Sequence, residues 1–478
     1  MLSREENELL TRVHAGTPMG RLIRRYWIPA LLSEEIPVPD CPPMRVRLLG
    51  EDLVAFRDTE GKIGILDEHC SHRGTSLFYG RNEECGLRCI YHGWKYDVEG
   101  NVLETPAEPS GSQLKNKVHH TAYPCVEAGG MLFTYMGPRD QIPIFPTYAW
   151  LGVPQNQIYI AKSLLECNYL QGLDGDCDSA HLNFLHKMFT PDARREFLRH
   201  EDQSPTFEID EMDFGFRVAA IRKIGPDKSY VRISQFVMPF IGCVPVGREV
   251  DGKLDGFKAV YQVPADDNNT WRYDFFFKWS KPMTKEDSSK RDFVGADYRK
   301  LRNIRNNYLQ DRQVQKTVDF TGIEEFLNQD ACATESMGPI VDRTKEHLGV
   351  SDSYVIQVRR FLLKALRDLE AGKPPPGLAY DADQADVSHI RCDVAYLSSN
   401  VSWRTLFEDT RDQEKARGMF TKALTTLHQR LGFIFVVRGL LRRREELLKR
   451  QLRCPPRAST APDSLRVQKR VSGQTLFA

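Results

Sequence analysis

Four residues in the first hundred have the types and spacing of a metal centre. They are Cys70-Ser-His72 and, after 16 intervening residues, Cys89-Ile-Tyr-His92. Each half offers one thiolate and one imidazole. A binuclear iron–sulfur centre can use that set, with both cysteines on one iron and both histidines on the other. Replacing two thiolates by neutral imidazoles removes negative charge. The reduction potential then lies within roughly −150 to +300 mV, against about −400 mV for plant-type clusters. A Cys2His2 zinc site draws on the same residue types, but its usual spacing groups cysteine with cysteine and histidine with histidine. Here each pair is mixed, and Arg73-Gly74 and Gly93-Trp94 follow. Glycine there permits φ > 0 and close backbone approach, so the mixed pairing favours the [2Fe–2S] cluster. Cys85 has no matching histidine and reads as an ordinary thiol.

A second set lies in Asn168-Tyr-Leu-Gln-Gly-Leu-Asp-Gly-Asp-Cys-Asp178-Ser-Ala-His181-Leu-Asn-Phe-Leu-His186. On a regular helix, His181 and His186 differ by about 140°. Joint ligation therefore requires a bend, a π-bulge or a helix end. Asp178, three residues before His181, can touch such a site without filling a ligand position. Two histidines and a carboxylate on one face of iron leave positions open for O₂. Asp319, Glu324, Glu325 and Asp330 are the available carboxylates, and spacing does not choose among them. Two histidines on a helix are by themselves more often core or surface residues than ligands. The upstream cluster motif changes that weighting, because a one-electron donor needs an acceptor.

The elements that must carry these groups are of two kinds. Residues 4–14 predict a short helix within an N-terminal arm, 1–40. Short strands follow at 45–49, 53–56 and 63–66, broken by Gly50-Glu-Asp and Thr59-Glu-Gly-Lys. Recurrent glycines continue to about residue 136, so 41–138 reads as a small all-β domain. A proline-rich stretch at 138–154 marks its border. An α+β domain over 150–385 comes next. It has predicted helices at 164–188, 285–315 and 354–370, and strand-rich sequence over 207–277. The helix at 354–370 stops at Gly372 and Pro374-Pro-Pro.

Composition bounds the partners. The 478 residues hold 66 Lys or Arg and 65 Asp or Glu, a net charge of +1, which argues against a chain that is basic throughout. That sum hides +10 over 391–478, from 18 basic and 8 acidic residues, against −9 over 1–390. The last segment reads as a basic tail of uncertain structure, with neither a nucleic-acid nor a membrane role expected. No stretch of about 18 apolar residues exists and the charged start Met1-Leu-Ser-Arg-Glu-Glu lacks a signal core. A cytoplasmic location is expected. Eleven cysteines there suggest buried thiols and metal ligands rather than disulfides.

Taken in order, Cys70-x-His72, Cys89-x-x-His92 and Asp178-x-x-His181-x4-His186 resemble the Rieske non-haem iron aromatic-ring hydroxylating oxygenases. Glu84-Cys-Gly-Leu-Arg-Cys-Ile-Tyr-His-Gly-Trp-Lys-Tyr-Asp and the run from Asn168 to Asp176 are similar to the phthalate dioxygenase branch, as are Gly16-Thr-Pro-Met-Gly and Leu48-Leu-Gly-Glu-Asp. The resemblance spans about residues 4–375. It implies an α+β fold: a small all-β Rieske domain, then a helix-grip catalytic domain with a helix-flanked antiparallel sheet. Through Asn328-Gln-Asp330 and Glu335-Ser-Met-Gly-Pro-Ile it also implies Asp330 as the third ligand of a mononuclear Fe(II) held by His181 and His186. Asp178 takes the position of the carboxylate that bridges a cluster histidine (His92) and an iron histidine (His181) between neighbouring subunits. The implied partners are an FMN and [2Fe–2S] reductase, O₂, an aromatic acid, and further copies in a homotrimer or stacked trimers. Demethylation of an aryl ether is the alternative reaction, and a pure Rieske electron carrier the alternative class. Arg195, Arg222, Arg232 and Arg272 lie in the catalytic region, and none is singled out as the substrate's partner.

Overall fold

The computed structural model describes residues 1–189, 202–246, 249–250, 253–288 and 294–407. Arg195 and the basic segment from 408 onward lie outside the described residues. The fold described below lies within Met1–Thr405.

The first helix runs Arg4–Thr11. Ser3 caps it by accepting from the Glu6 N–H, while Glu6 reaches back to the Ser3 N–H at 2.8 Å. Three antiparallel sheets form the β-rich region. One pairs Met44–Leu48, Glu51–Arg57, Ile63–Asp67 and Ala122–Tyr123. A second, smaller one pairs Arg81–Glu83, Gly86–Arg88, Lys95–Tyr96 and Val102–Glu104. A third orders Trp27–Leu32, Met131–Tyr135 and Cys125–Ala128. The arm at 1–40 thus contributes a strand to this region, with Trp27 opposite Tyr135 and Leu32 opposite Met131. Its residues Ile28, Leu31 and Leu32 are buried, and that burial draws the arm into the sheet.

The eight-stranded sheet is antiparallel, in the order Ile158–Leu165, Thr270–Phe277, Lys258–Pro264, Ile241–Val244, Lys228–Val237, Gly215–Lys223 and Thr206–Met212. An eighth strand, Asp393–Ser398, pairs with Lys228–Val237 from Lys228 to Ile233, where Ile241–Val244 does not reach. The segment read as the start of a tail is therefore part of this sheet. Without it the backbone of Lys228–Ile233 would be an open edge.

Helices cover the sheet. Ser353–Glu370 buries Tyr354, Val355, Val358, Phe361, Leu362, Ala365 and Leu366, one stripe at helical spacing. Phe361 meets Phe216 edge-on at 4.9 Å. Two predicted helices differ in the structure. Over 164–188 the chain is the strand Ile158–Leu165, the helix Tyr169–Asp176 and a 3₁₀ turn, His181–Asn183. Asn168 starts the helix by accepting from the Leu170 N–H at 3.1 Å, and its amide donates to the carbonyls of Thr11 and Asp267. Over 285–315 the described chain breaks into Lys285–Ser288, Ile304–Leu309 and Arg312–Thr317, with Asn307 and Tyr308 at positive φ. Charge density there reflects solvated turns rather than one helix. The 10 cysteines among the described residues are all free thiols.

Candidate metal centres

The two Cys/His segments form matching loops. In the first, Gly74 N–H donates to Cys70 O (2.8 Å) and Cys70 N–H to Thr75 O (2.9 Å). In the second, Gly93 N–H donates to Cys89 O (3.1 Å) and Cys89 N–H to Trp94 O (2.8 Å). Gly74 and Gly93 both have φ +74°, a region L side chains rarely enter, so each loop requires its glycine. The cysteine end is interior, with Cys70 and Cys89 each 3% exposed above Val54, Phe56, Leu66 and Leu87. The histidine end is half-exposed. The His72 and His92 rings lie edge to face at 4.5 Å, and His72 stacks on buried Trp94 at 4.8 Å. Burial raises the Cys89 thiol pKa, while the Tyr91 and His92 amides work against that rise. Two interior sulfurs and two adjacent outward imidazoles fit a [2Fe–2S] cluster with mixed ligation. Tyr96, on the strand leaving the second loop, places its hydroxyl 3.0 Å from Cys70 Sγ.

The second set converges from the turn after one helix and the middle of another. Tyr169–Asp176 closes with Cys177 N–H on Leu173 O (3.0 Å). Asp178 then accepts from the Ala180 N–H at 2.6 Å, and this turn opens the 3₁₀ segment that carries His181. A helix end is thus what brings two histidines five residues apart together. The helix Phe326–Glu335 supplies the rest. Its Phe326 stacks on the His186 ring (3.4 Å, 15°), its Gln329 accepts from His186 Nδ1 (2.7 Å), and its Asp330 Oδ1 lies 3.0 Å from His186 Nε2. His181 Nε2 is 3.9 Å from the same oxygen.

One donor atom from each of His181, His186 and Asp330 lies within 4.8 Å of the others. His186 Nε2 is buried and makes no hydrogen bond, despite its closeness to Asp330. Two donors about 3 Å apart and not bonded to each other suit adjacent positions on one ion with bonds of roughly 2.1 Å. The residues therefore fit a mononuclear metal. The other carboxylates are engaged elsewhere. Asp319 accepts from the backbones of Thr321 and Gly322, and Glu324 pairs with Arg302. Glu325 sits at φ +66° as the N-cap residue of the Asp330 helix.

Three alternate aspartates in this segment serve three sites. Asp174 binds Arg343 (2.9 Å) and Arg359 (2.7 Å), both buried, and its pKa stays low although burial opposes this. Asp176 accepts from Gln262 at 2.6 Å, and burial raises its pKa. Asp178 Oδ2 faces His181 Nδ1 at 3.5 Å. Burial works against the Asp178 carboxylate and the His181 imidazolium alike, but each stabilises the charge of the other. The Asp178 pKa ends lowered and that of His181 raised. Arg272 contacts Asp274 (2.8 Å) and approaches Asp330 Oδ2 at 3.7 Å, the oxygen turned away from the histidines. Arg222 donates to Asn183 Oδ1 (2.9 Å) and Ser179 O (2.7 Å). Sequence reasoning missed Tyr96, Phe326 and Gln329. The signal for the last two was present, since 326, 329 and 330 share one helix face, but a search for ligand types passes over Phe and Gln.

Residues 26–125 match the family described as Rieske [2Fe-2S] domain, and residues 134–426 match LigXa C-terminal domain like. The chain is 42% identical to the phthalate 4,5-dioxygenase oxygenase subunit of Pseudomonas putida, over 84% of this chain and 94% of that protein. It is 37% identical to the 3-chlorobenzoate-3,4-dioxygenase oxygenase subunit of Comamonas testosteroni, over 84% and 97%. Among solved structures, Pseudomonas putida CBB5 NdmA (QL mutant with theobromine) superimposes with a TM-score of 0.53 at 19% identity, covering 77% of this chain and 94% of that one. At that identity the match shows the shared fold. Among the described residues, no helix is long and apolar enough to cross a membrane.

Proposed function

The chain belongs to the Rieske non-haem iron aromatic-ring hydroxylating oxygenases, in the phthalate dioxygenase-like branch, and from that premise we propose that it is the terminal oxygenase that dihydroxylates an aromatic carboxylate. The observation that carries the reading is the convergence of His181, His186 and Asp330 in a chain that also holds the paired Cys/His loops. In this reading Cys70, Cys89, His72 and His92 hold the Rieske cluster within 41–138, and His181, His186 and Asp330 hold Fe(II) within 150–385. Bound iron would supply O₂ activation, with electrons arriving singly from the cluster.

The residues divide the work by position. His186 is fully buried and His181 keeps 23% of its side chain exposed, so the site has a closed floor and an open rim. Asp178, 28% exposed, stands at that rim against His181. The cluster's histidine end is likewise outward, flanked by exposed Ile90 and Tyr91. Within one chain the described contacts of Asp178 do not include a cluster histidine. Two outward-facing ends suit a meeting across a subunit boundary, with Asp178 joining His181 to His92 of a neighbour in a trimer or stacked trimers. A carboxylate between two metal-bound imidazoles fixes both tautomers and connects the sites.

Charge supports the proposed substrate class. Arg222 and Arg232 are both buried on adjacent strands, Arg232 opposite Ala220 and hence diagonal to Arg222. Burial, and then the Arg232 charge, bring the Arg222 pKa down to about 10. Both guanidiniums are already hydrogen-bonded, Arg222 to Asn183 and Ser179 and Arg232 to the Pro245 carbonyl, so they would favour an anion near the histidine segment through their charge. Benzoates and phthalates carry a carboxylate, and the relatives named above act on a phthalate and a chlorobenzoate. The electron donor would be an FMN and [2Fe–2S] reductase using NAD(P)H in the cytoplasm.

Turnover of phthalate, 3-chlorobenzoate and phenoxybenzoate with such a reductase tests the reading. A diol product is expected, and formaldehyde from aryl methyl ethers with no diol from any acid would make the chain a demethylase instead. Wild-type protein should hold about three irons per chain, and His181→Ala about two with an intact Rieske spectrum. Two irons in the wild type would make it an electron carrier.

A further inference from the structure

The geometry points to Gln329 as a positioning residue that sets the tautomer of His186, and so makes its Nε2 a metal donor before any metal arrives. The inference rests on the reading above that His186 is an iron ligand.

Gln329 is 1% exposed and His186 is 0% exposed, so neither finds a water substitute easily. Gln329 Nε2 donates to the Ile323 carbonyl at 2.8 Å. That carbonyl is held in place from one side: Asp319 Oδ1 accepts from the Thr321 and Gly322 amides at 2.9 and 2.7 Å, and Thr321 Oγ1 accepts from the Ile323 N–H at 3.1 Å. The amide of Gln329 is therefore oriented. Turning it over would set its oxygen against the Ile323 oxygen, two acceptors with no proton between them. With the amide so fixed, Gln329 Oε1 is the atom 2.7 Å from His186 Nδ1. An acceptor there requires the proton on Nδ1. The lone pair is left on Nε2, which faces Asp330 and makes no hydrogen bond of its own. The opposite tautomer would oppose two lone pairs at Gln329 and point an N–H where the metal must sit.

Phe326 completes the seat. Its ring lies parallel to that of His186 at 3.4 Å, which restricts ring rotation while Gln329 fixes the proton. Phe326, Gln329 and Asp330 are i, i+3 and i+4 on one helix, so one short element sets the ring plane, the proton and the neighbouring ligand. Asp319, which sequence left among the candidate ligands, acts two steps out, by fixing the loop that orients Gln329.

Fe(II) binding to the full chain, measured by chelator competition with the Rieske cluster intact, tests this. Gln329→Leu removes the acceptor and should weaken mononuclear Fe(II) binding by about 10–100-fold. Gln329→Glu keeps an acceptor for Nδ1–H while setting an oxygen against the Ile323 carbonyl, and should bind more weakly than wild type yet at least about threefold more tightly than the Leu variant. A Leu variant that binds as tightly as wild type overturns the inference. So does a Glu variant as weak as Leu, because Gln329 would then only anchor the loop. A wild type that binds no third iron instead refutes the site reading itself. A check independent of these variants uses wild-type chain stripped of mononuclear iron and labelled with ¹⁵N-histidine. The signal absent from His186→Asn should report a proton on Nδ1, and a ring protonated on Nε2 with no proton on Nδ1 would overturn the proposal.

Discussion

Replacing Tyr96 by Phe should lower the reduction potential of the cluster by about 40 mV. The Tyr96 hydroxyl lies 3.0 Å from Cys70 Sγ, and a cysteine bound to iron is a thiolate, so the phenol is the donor. Tyr96 is fully buried, and burial followed by the Cys70 sulfur raises its pKa. It therefore remains a donor across neutral and mildly alkaline pH. A hydrogen bond to a charged acceptor is worth about 1.5–3 kcal/mol. Only the difference between reduced and oxidised clusters enters the potential. The added electron is shared over the whole cluster, so about 1 kcal/mol is a reasonable differential from such a bond. For a one-electron couple, 59 mV corresponds to a tenfold change, and 1 kcal/mol converts to about 43 mV. The substitution is conservative in shape. The ring packs against His120 at 4.5 Å, and Phe retains that contact. An anaerobic redox titration followed by the electron-spin signal of the reduced cluster measures the shift. A potential unchanged within about 10 mV, or one that rises, with the visible spectrum intact, would refute the reasoning.

Two further outcomes follow from the carboxylates of the 174–178 run. Asp178→Asn should keep both metals, yet slow electron transfer from cluster to mononuclear iron by at least about tenfold in single-turnover mixing. Full activity with both metals present would end the bridging role. Asp174→Ala leaves Arg343, fully buried, without its carboxylate, and Arg359 with Glu346 alone. Breaking one partner out of a buried pair costs about 3–5 kcal/mol, so for a chain of this length the thermal midpoint should fall by about 3–6 °C. A change smaller than about 1 kcal/mol would mean that the network contributes little to holding the helix Tyr169–Asp176 against Ser353–Glu370.

Legibility differed by kind of feature. The cluster loops were legible because each is local: sulfur, nitrogen and the glycine at φ +74° fall within five residues, and backbone bonds close each loop on itself. The amphipathic helix Ser353–Glu370 was legible for the same reason, since its burial stripe is a periodicity. The stretch 164–188 was not. A strand, a capped helix and a 3₁₀ turn follow one another there, and propensity cannot see the Asn168 bonds to Thr11 and Asp267 that set the boundary. Nor could charge bookkeeping see that the segment opening the basic stretch pairs with Lys228–Ile233.

By itself the sequence determined the donor types, the two-part α+β organisation and the need for a break in regular helix (a bend, a π-bulge or an end) if His181 and His186 are to ligate one metal. Those are properties of side-chain chemistry and short spacing. Spacing left Asp319, Glu324, Glu325 and Asp330 equivalent and the family resemblance pointed to Asp330, but only the tertiary structure shows which carboxylate stands beside the histidines. Packing the helix Phe326–Glu335 against the histidine turn brings Asp330 to 3.0 Å of His186 and leaves Asp319 bonded to its own loop. The orientation of Gln329 was decided there too, since a proton's place on an imidazole depends on which buried atom faces it.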